Sequence, residues 1–389
     1  MASEWKECTL AELGEIVGGA TPSTKDESNY GGDIAWITPK DLSTLKGRFI
    51  AHGERNITEK GLNSCSTQMM PANAVLFSSR APIGYVAIAK NPVCTNQGFK
   101  SLVANADNDP MFLYYLLKYN KDAIEAMGSG TTFKEVSGST MRGIRVRVPV
   151  SKAEQQRIAS VLAALDSKIE NNDKINDNLQ QQAAALFAQY YEQASDLVPF
   201  TSVIQILGGG TPKTGNPMFW NGDVPFFTPK DVGTPYTLST EKTITEDGLA
   251  HCNSRLYPVN TVFVTARGTV GKVGLPGVPM AMNQSCYALI GKGIDQLMVY
   301  FYTLRTVQAL KHKASGAVFD AITTRDFESE TIRLIAEDAA AEFLSVAAPM
   351  FGQILGNSIE NQHLAELRDT LLPRLMAGEI DVSDIDLSR

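Results

Sequence analysis

The sequence predicts an α+β protein in which two similar mixed α/β modules are separated by two long helices that pair as an antiparallel coiled coil. Two observations lead to this prediction. The chain of 389 residues contains an internal repeat at an offset near 190 residues, and a stretch of about 40 residues with a heptad pattern follows each copy. A chain of this length also exceeds one ordinary domain of roughly 100 to 200 residues.

The repeat consists of short matching segments in the same order. The offset between them is 190 residues at first and 187 residues further along. The clearest matches are Gly18-Gly19-Ala20-Thr21-Pro22 with Gly208-Gly209-Gly210-Thr211-Pro212, Thr38-Pro39-Lys40-Asp41 with Thr228-Pro229-Lys230-Asp231, Arg80 with Arg267, and Asn96-Gln97 with Asn283-Gln284. A period this long is typical of a duplicated domain, because solenoid repeats are only 20 to 50 residues long.

The two heptad stretches match each other at an offset of 185 residues. The seam positions of the first are Ile158, Leu162, Leu165, Ile169, Asn172, Asn176, Leu179 and Leu186, and those of the second are Phe343, Met350, Ile354, Asn357, Asn361, Leu364 and Leu371. A single amphipathic stripe usually packs on its own globular core. Two matched stripes with Asn at two adjacent seam positions favour mutual pairing, because buried amides need hydrogen-bond partners.

Antiparallel pairing places the four Asn amides together at the middle of the helices, where they fix the register. Each helix of about 40 residues is expected to be roughly 60 Å long. Pro349 lies inside the second stripe, where it removes a backbone donor, so we expect a distortion of that helix.

These patterns divide the chain into five segments. We predict a first module at 1–150, a first long helix at 151–194, a second module at 195–335, a second long helix at 336–378 and an acidic tail at 379–389. Inside the modules we expect short strands such as 75–77, 85–88 and 262–264, and helices near 111–127 and 297–312.

The net charge of −7 is unevenly distributed along the chain. Residues 1–150 carry 16 Lys and Arg against 15 Asp and Glu, and residues 195–335 carry 12 against 11. Residues 336–389 carry only 3 against 10. The two modules are therefore near neutral and can present local basic faces to phosphate, although the whole chain is acidic.

A search for catalytic and targeting motifs gives only negative results. The sequence has no G-x-x-x-x-G-K-[ST], H-E-x-x-H or G-x-G-x-x-G motif, and its four His have no ligand spacing. Its five Cys are widely separated, which favours buried free thiols over disulfides or zinc. We predict no catalytic site, no metal, no membrane span, no signal peptide and a cytoplasmic location.

The repeat and two local motifs together resemble a known family. The motifs are Glu154-Gln155-Gln156-Arg157-Ile158 after Pro149, and the C-terminal run from Leu367 to Ile380, LRDTLLPRLMAGEI. With the duplicated Gly-x-Thr-Pro segments, they make the whole chain similar to the specificity subunits of type I restriction-modification systems. The second module departs from the pattern, since Ala336-Glu337-Asp338 replaces the Pro and Glu-Gln of the first junction.

The resemblance implies that the two modules are target recognition domains, each reading one half of a split, asymmetric DNA target. It further implies that the helices set the spacing and dock two methyltransferase subunits, which bind S-adenosylmethionine and methylate adenine. A restriction and motor subunit joins that complex to cut unmethylated DNA. This chain is then a non-catalytic recognition subunit that holds no cofactor itself.

Candidate DNA-binding residues fall into two groups. Residues shared by the copies are candidates for fold or phosphate contact, because the two halves of the target should differ. They are Thr38, Lys40, Arg80, Asn96 and Gln97, with Thr228, Lys230, Arg267, Asn283 and Gln284. The candidate base readers lie where the copies differ, and they are Lys46, Arg48, His52 and Arg55, Tyr236 and Lys242, and the basic run Lys134, Arg142, Arg145 and Arg147.

Two rival functions remain open at this level. A non-enzymatic coiled-coil scaffold that joins two protein-binding modules fits the duplication and the acidic total. A self-contained modification enzyme fits less well, because the cofactor and catalytic motifs are missing.

Overall fold

A computed structural model describes residues 4–80, 82–130, 134–313 and 321–385. The start of the first module and the last four residues of the predicted acidic tail lie outside these ranges. The chain divides into two units, one of Met1–Asn171 with Gln362–Arg389 and the other of Asn172–Asn361. Each unit therefore contains one module and parts of both long helices.

The first module is a mixed α/β domain. Its strands are β1 Trp5–Thr9, β2 Gly14–Gly18, β3 Tyr30–Ile34, β4 Trp36–Ile37, β5 Phe49–Ile50, β6 Val75–Phe77, β7 Val86–Ala89, β8 Cys94–Thr95, β9 Lys100–Ala104 and β10 Arg145–Pro149. Its helices are α1 Leu10–Leu13, α2 Pro39–Ser43, α3 Glu59–Asn63, α4 Pro110–Tyr119, α5 Lys121–Ala126 and α6 Gly138–Gly143. Five strands form a sheet of order β2-β9-β6-β7-β5, antiparallel except for the parallel pair β5 and β7.

Helix α4 packs against this sheet through buried apolar side chains. It starts where the Asp109 side chain accepts a hydrogen bond from the backbone N–H of Phe112, and Pro110 occupies its first turn. Its residues Phe112 to Leu117 are buried in one cluster with β6 residues such as Phe77. The predicted single helix at 111–127 is divided at Asn120 into α4 and α5.

The first long helix, α7, runs from Lys152 to Gln193. The second module then repeats the first. Its strands are β11 Asp196–Pro199, β12 Ile204–Gly208, β13 Trp220–Phe227, β14 Tyr236–Thr237, β15 Thr243–Ile244, β16 Val262–Thr265, β17 Val273–Pro276, β18 Ala281–Met282, β19 Cys286–Gly291 and β20 Thr331–Leu334. Its helices are α8 Phe200–Val203, α9 Glu246–Ala250, α10 Gln296–Lys313 and α11 Thr324–Glu328.

The sheet of the second module has the order β12-β19-β16-β17-β14, and its outer pair, β14 and β17, is again parallel. Strand for strand, this is the order and direction of the sheet in the first module. The duplication predicted from the sequence is thus confirmed at the level of topology.

The second long helix, α12, runs without interruption from Glu337 to Met376. Pro349 lies inside it with an exposed side chain. The expected distortion near Pro349 is therefore not a break in the helix. A solvent-facing proline removes one hydrogen bond, and the flanking turns of this helix carry buried residues on both sides, Ala347 and Phe351.

In the second unit the helices α7 and α12 pair antiparallel through their Asn residues. The amide nitrogen of Asn172 donates to the Asn361 side-chain oxygen, and that of Asn357 donates to the Asn176 side-chain oxygen, each at 2.8 Å. The Asn172 amide nitrogen also donates to the Glu360 carboxylate, and the Asn361 amide nitrogen donates to the Asp173 carboxylate, each at 2.8 Å. This is the arrangement predicted from the sequence, because every buried amide gains a partner only in this register.

In the first unit the same pairing continues through apolar and ionic contacts. Ile158 and Leu162 of α7 are buried in the cluster that contains Leu375 and Met376 of α12. These residues also contact the core of the first module. The helices therefore pack on each other and on the module at the same time.

Within the described residues, α12 is the helix that is long and apolar enough to span a membrane by length and composition. Such a test is weak evidence for one helix. The same helix carries Asn357 and Arg368, whose partners are inside the protein, and both side chains would be costly to place in lipid.

Candidate nucleic-acid interface

The repeated segments of the first module come together in one group of loops. The backbone N–H of Ala20 donates to the Thr95 carbonyl, and that of Asn96 donates to the Ile37 carbonyl, both at 3.0 Å. The Ser79 N–H donates to the Gly98 carbonyl at 2.7 Å. Segments 18–22, 36–41, 78–80 with 82–84, and 94–98, far apart in sequence, thus form a single surface, which we call the shared loop cluster.

The second module builds the same cluster with equivalent bonds. The N–H of Gly210 donates to the Met282 carbonyl, that of Asn283 to the Phe227 carbonyl, and that of Ala266 to the Ser285 carbonyl. The distances are 3.1, 2.9 and 2.8 Å. The repeated residues therefore mark one surface in each module.

Most of the shared polar side chains hold these loops in place. Thr38 bonds to Asp41 at the start of α2, in a reciprocal cap that Thr228 and Asp231 repeat. The side-chain oxygen of Asn96 accepts from the Gly98 N–H at 2.9 Å. Asn283 does the same with the Ser285 N–H.

The shared glutamines join two segments of each cluster. The hydroxyl of Thr21 donates to the Gln97 side chain, and that of Thr211 donates to Gln284. The structure thus places Thr38, Asn96 and Gln97, with their second-module equivalents, in the loop framework. Gln97 and Gln284 are nevertheless exposed, so their free amide groups face solvent.

The shared cations of the cluster point outward. Arg80 and Arg267 are exposed, and neither side chain has a hydrogen bond or ion pair to another residue in the described ranges. Each lies in a loop that turns at a glycine of positive φ, Gly84 at +98° or Gly271 at +73°. Lys40 and Lys230 are also exposed, and each pairs with a Glu, at 2.6 Å to Glu54 and 3.8 Å to Glu241.

Sequence reasoning missed one further cation in each cluster. The stem of Lys121 lies across Gly84, and the ammonium of Lys311 donates to the Gly271 carbonyl at 2.7 Å. These lysines are equivalent in space but are hard to align, because α4 and α5 are separate where α10 is one helix. Each cluster therefore combines an Arg and a Lys around one glycine turn.

A groove of about 760 Å³ lies beside the shared loop cluster of the first module, in the segment where the copies differ. The predicted candidates Lys40, Lys46 and His52 line it, together with Lys90 and Phe49, which the sequence did not predict, and the acidic residues Asp41 and Glu54. Phe49 is 39% exposed, which is unusual for so large an apolar side chain. A groove with cations and an exposed ring suits contact with bases as well as phosphate.

Two of the predicted base readers are corrected by their burial. Arg48 is only 5% exposed, and its guanidinium binds Glu170 and Ser167 of α7. Tyr236 is 8% exposed, its hydroxyl donates to Asn260 at 2.7 Å, and burial raises its pKa to about 12. Neither side chain faces solvent, so neither is retained as a reader.

The remaining candidates are exposed but are not all in one place. Arg55 stacks on the Tyr30 ring at 3.6 Å, and Lys242 lies 5.9 Å from the Trp220 ring. Arg147 lies over Trp5 and donates to the Ala377 carbonyl at the end of α12, which directs it toward the helices. Lys134 and Arg142 are exposed on the segment that leads into β10, and Arg145 is exposed at the first position of that strand.

No group of three or more His, Cys, Asp or Glu side chains in the described ranges is arranged to hold a metal ion. The cysteines in those ranges are free thiols. Burial raises the pKa of Cys94 to about 11 and that of Cys286 to about 12, so neither thiol is suited to act as a nucleophile.

Comparison with known proteins gives a consistent result. The family model described as "Type I restriction modification DNA specificity domain" matches residues 2–181 and again residues 196–336. The chain is 30% identical to the type I restriction enzyme MjaIX specificity subunit of Methanocaldococcus jannaschii, over 98% of this chain and 95% of the relative. It is 23% identical to the HindI specificity subunit of Haemophilus influenzae, over 97% and 100%.

Among solved structures, the crystal structure of the type I restriction-modification S subunit from M. genitalium has a similar fold. Its TM-score is 0.61 at 14% sequence identity, and the match covers 96% of both chains. At this identity the likeness supports the fold, with its two modules and two long helices.

Proposed function

Because this chain belongs to the family of type I restriction-modification specificity subunits, we propose that it is the DNA-reading subunit of such a complex. Each module reads one half of a bipartite, asymmetric target. The observation that carries the proposal is the shared loop cluster, built twice from equivalent bonds and carrying outward Arg and Lys side chains each time.

The residues that the two modules share and those that differ between them are assigned different roles in DNA binding. Phosphates are the same in both half-sites, so we assign Arg80, Lys121, Arg267 and Lys311 to phosphate contact. Bases differ between the half-sites, so the readers belong to the divergent surface, with Lys46, Phe49, His52 and Lys90 in the groove of the first module. Covalent linkage raises the effective concentration of one module once the other is bound.

The paired helices are proposed to set the spacing and to dock two methyltransferase subunits. Both helices carry large apolar side chains that lie on the surface. These are Ile175, Val346, Ile359 and Leu367, which are 38 to 47% exposed. Exposed apolar groups on an otherwise polar helix are typical of a surface that a partner covers. The acidic charge of residues 336–389 keeps this region away from DNA phosphates.

The remaining activities of the complex belong to other chains. We propose that the methyltransferase subunits bind S-adenosylmethionine and methylate adenine, and that restriction subunits join to cut DNA in the cytoplasm. The rival reading is a scaffold that joins two protein-binding modules without nucleic acid. The duplicated exposed cations favour DNA.

A gel shift on pooled random duplex DNA, with and without the cognate methyltransferase subunits, tests the proposal. We expect a retarded species whose bound DNA, after repeated selection, converges on two short fixed motifs separated by a spacer of constant length. Retention of the pool without any enrichment would contradict sequence reading, and no retention in either arm would favour the scaffold.

A further inference from the structure

The two modules dock on the long helices through surfaces of different chemistry. In the first unit the docking surface is the polar seat, formed by Ala163, Asp166, Ser167, Glu170 and Arg368. In the second unit the positions related by the 185-residue offset form the aromatic seat, which consists of Ala348, Phe351, Gly352, Leu355 and Ala183.

Arg48 of the first module is the main contact with the polar seat. Its guanidinium donates to Glu170 at 3.0 and 3.2 Å, to the Ser167 hydroxyl at 2.7 Å and to the Ala163 carbonyl at 3.2 Å. The side chain is 6% exposed, and that of Glu170 is 22% exposed. A buried guanidinium that binds three acceptors in this way depends strongly on all of them.

Tyr115 makes the second contact with the polar seat. Its hydroxyl donates to Asp166 at 2.6 Å, and the other oxygen of Asp166 accepts from Arg368 at 2.7 Å. Asp166 and Arg368 are 8% and 19% exposed. Two successive hydrogen bonds, from Tyr115 to Asp166 and from Arg368 to Asp166, therefore link the first module to α7 and α12.

The second module has different residues at both contact positions. The Ile88 N–H donates to the Arg48 carbonyl, and the equivalent Leu275 N–H donates to the carbonyl of Pro235, each at 2.8 Å. Pro235 thus occupies the place of Arg48. The edge-to-face pair Tyr114 and Tyr115 is likewise repeated by Tyr300 and Phe301.

These replacements match the aromatic seat. The rings of Phe301 and Phe351 are 5.6 Å apart, and those of Tyr300 and Phe351 are 5.5 Å apart. A cavity of about 210 Å³ lies beside Ala348, Gly352 and Leu355, the positions that bind Arg48 in the other unit. The α12 residues that line this cavity, Ala348, Phe351, Gly352 and Leu355, carry no carboxylate or hydroxyl, and the polar groups in its lining, such as Asp295, belong to the second module itself.

We infer that each module recognises its own seat, and that Arg48 and Tyr115 are the residues that direct the first module to the polar seat. Placed on the aromatic seat, Arg48 would face Gly352 and Leu355 instead of the Ser167 hydroxyl and the Glu170 carboxylate that bind it on the polar seat. Placed on the polar seat, Phe301 would leave Asp166 without its hydroxyl donor. The two modules are therefore not interchangeable between positions, and this assignment does not depend on DNA binding.

The first test is a double-mutant cycle in the full-length chain, read by thermal unfolding. Glu170→Leu leaves the buried Arg48 guanidinium without a carboxylate to balance its charge, and we expect it to lower the first transition by roughly 5 to 10 °C. Arg48→Leu combined with Glu170→Leu should recover at least half of that loss. The exposed pair is the control, since Glu54→Leu removes the partner of Lys40 and should shift the transition by no more than about 1 °C.

If the double variant is as unstable as Glu170→Leu alone, or if Glu170→Leu behaves like Glu54→Leu, Arg48 does not recognise the seat and the inference is overturned. The cycle remains informative if every variant is destabilised, because its result is the difference between single and double variants.

The second test moves a module to the other position. In this variant residues 10–144 replace residues 200–330. These boundaries are equivalent, because the backbone hydrogen bond from the Leu10 N–H to the Ile144 carbonyl is repeated by the one from the Phe200 N–H to the Glu330 carbonyl. One version keeps the aromatic seat, and an adapted version adds Leu355→Glu, Gly352→Ser, Phe351→Asp and Ala183→Arg. We expect limited proteolysis to cleave the moved module at least tenfold faster in the unadapted chain. Equal cleavage of the two chains, whether both resist or both are cut, would overturn the inference.

Discussion

Polar residues that recur in both modules have two kinds of environment. Thr38, Asn96 and Gln97 form hydrogen bonds within the shared loop cluster, whereas Arg80 and its equivalent Arg267 extend into solvent. The hydrogen-bonded residues hold the loops in the conformation that exposes the two arginines. Both kinds of residue are needed if each module binds the same phosphate backbone, because the loops must keep one conformation and the cations must reach the phosphates.

Loss of one outward arginine should weaken DNA binding without changing its sequence preference. We expect Arg80→Ala and Arg267→Ala each to lower affinity for all sequences alike. Each should reduce the slope of log K against log salt by about one unit, as for one lost phosphate contact. Binding isotherms at several salt concentrations measure this.

Arg374→Ala is the matched control, since this arginine lies on α12 and is 55% exposed beside Glu379. It should leave both affinity and slope unchanged. Identical slopes in the parent, Arg80→Ala and Arg267→Ala proteins would remove both arginines from the interface.

The sequence could predict which residues are shared, but it could not predict which of them face solvent. Arg48 was a plausible base reader because it lies in a basic, divergent stretch. In the structure the Arg48 side chain instead binds Glu170 of α7, which is 122 residues away in the sequence. A pairing over that distance leaves no local pattern, whereas caps such as Thr38 with Asp41 do.

At the level of elements, the long helices are the best predicted part of the fold. Heptad spacing and two Asn layers gave the pairing direction and register, because the antiparallel register pairs Asn172 with Asn361 and Asn176 with Asn357. The effect of Pro349 was harder to foresee, since an exposed proline within a well-packed helix costs one bond and need not end it.

If the helices set the distance between half-sites, lengthening both should change the spacer of the target. One heptad inserted between Asn172 and Asn176, with one between Asn357 and Asn361, adds roughly 10 Å at about 1.5 Å per residue. This equals about three base pairs of rise, and it also rotates one half-site around the duplex. We expect the original spacing to be lost while the bases of each half-site stay the same.

Selection from a library with random spacers measures that outcome. A control with the heptad in only one helix should misalign the Asn layers and lower stability instead. Recovery of the original spacer at undiminished affinity from the doubly extended protein would show that the helices do not set the distance.

For the molecule as a whole, duplication has given two sheets of identical topology and two loop clusters with equivalent bonds. The two copies differ where the modules meet the helices and in the segment that forms the groove of the first module. Conserved topology with divergent surfaces is what an asymmetric target requires, since the two half-sites share a backbone and differ in bases. The near-neutral modules and the acidic C-terminal region fit the same division.

The central claim, that the modules are independent readers, is tested most directly by exchanging one of them. Residues 195–335 are replaced with the module from the same position of a relative, so that the aromatic seat still receives a second module. The target of the exchanged chain, assembled with the proposed methyltransferase subunits, is then determined by selection from random duplex DNA. We predict that one half of the bipartite target changes to that of the relative while the other half stays the same. A change in both halves, or in neither, would contradict independent reading by the two modules.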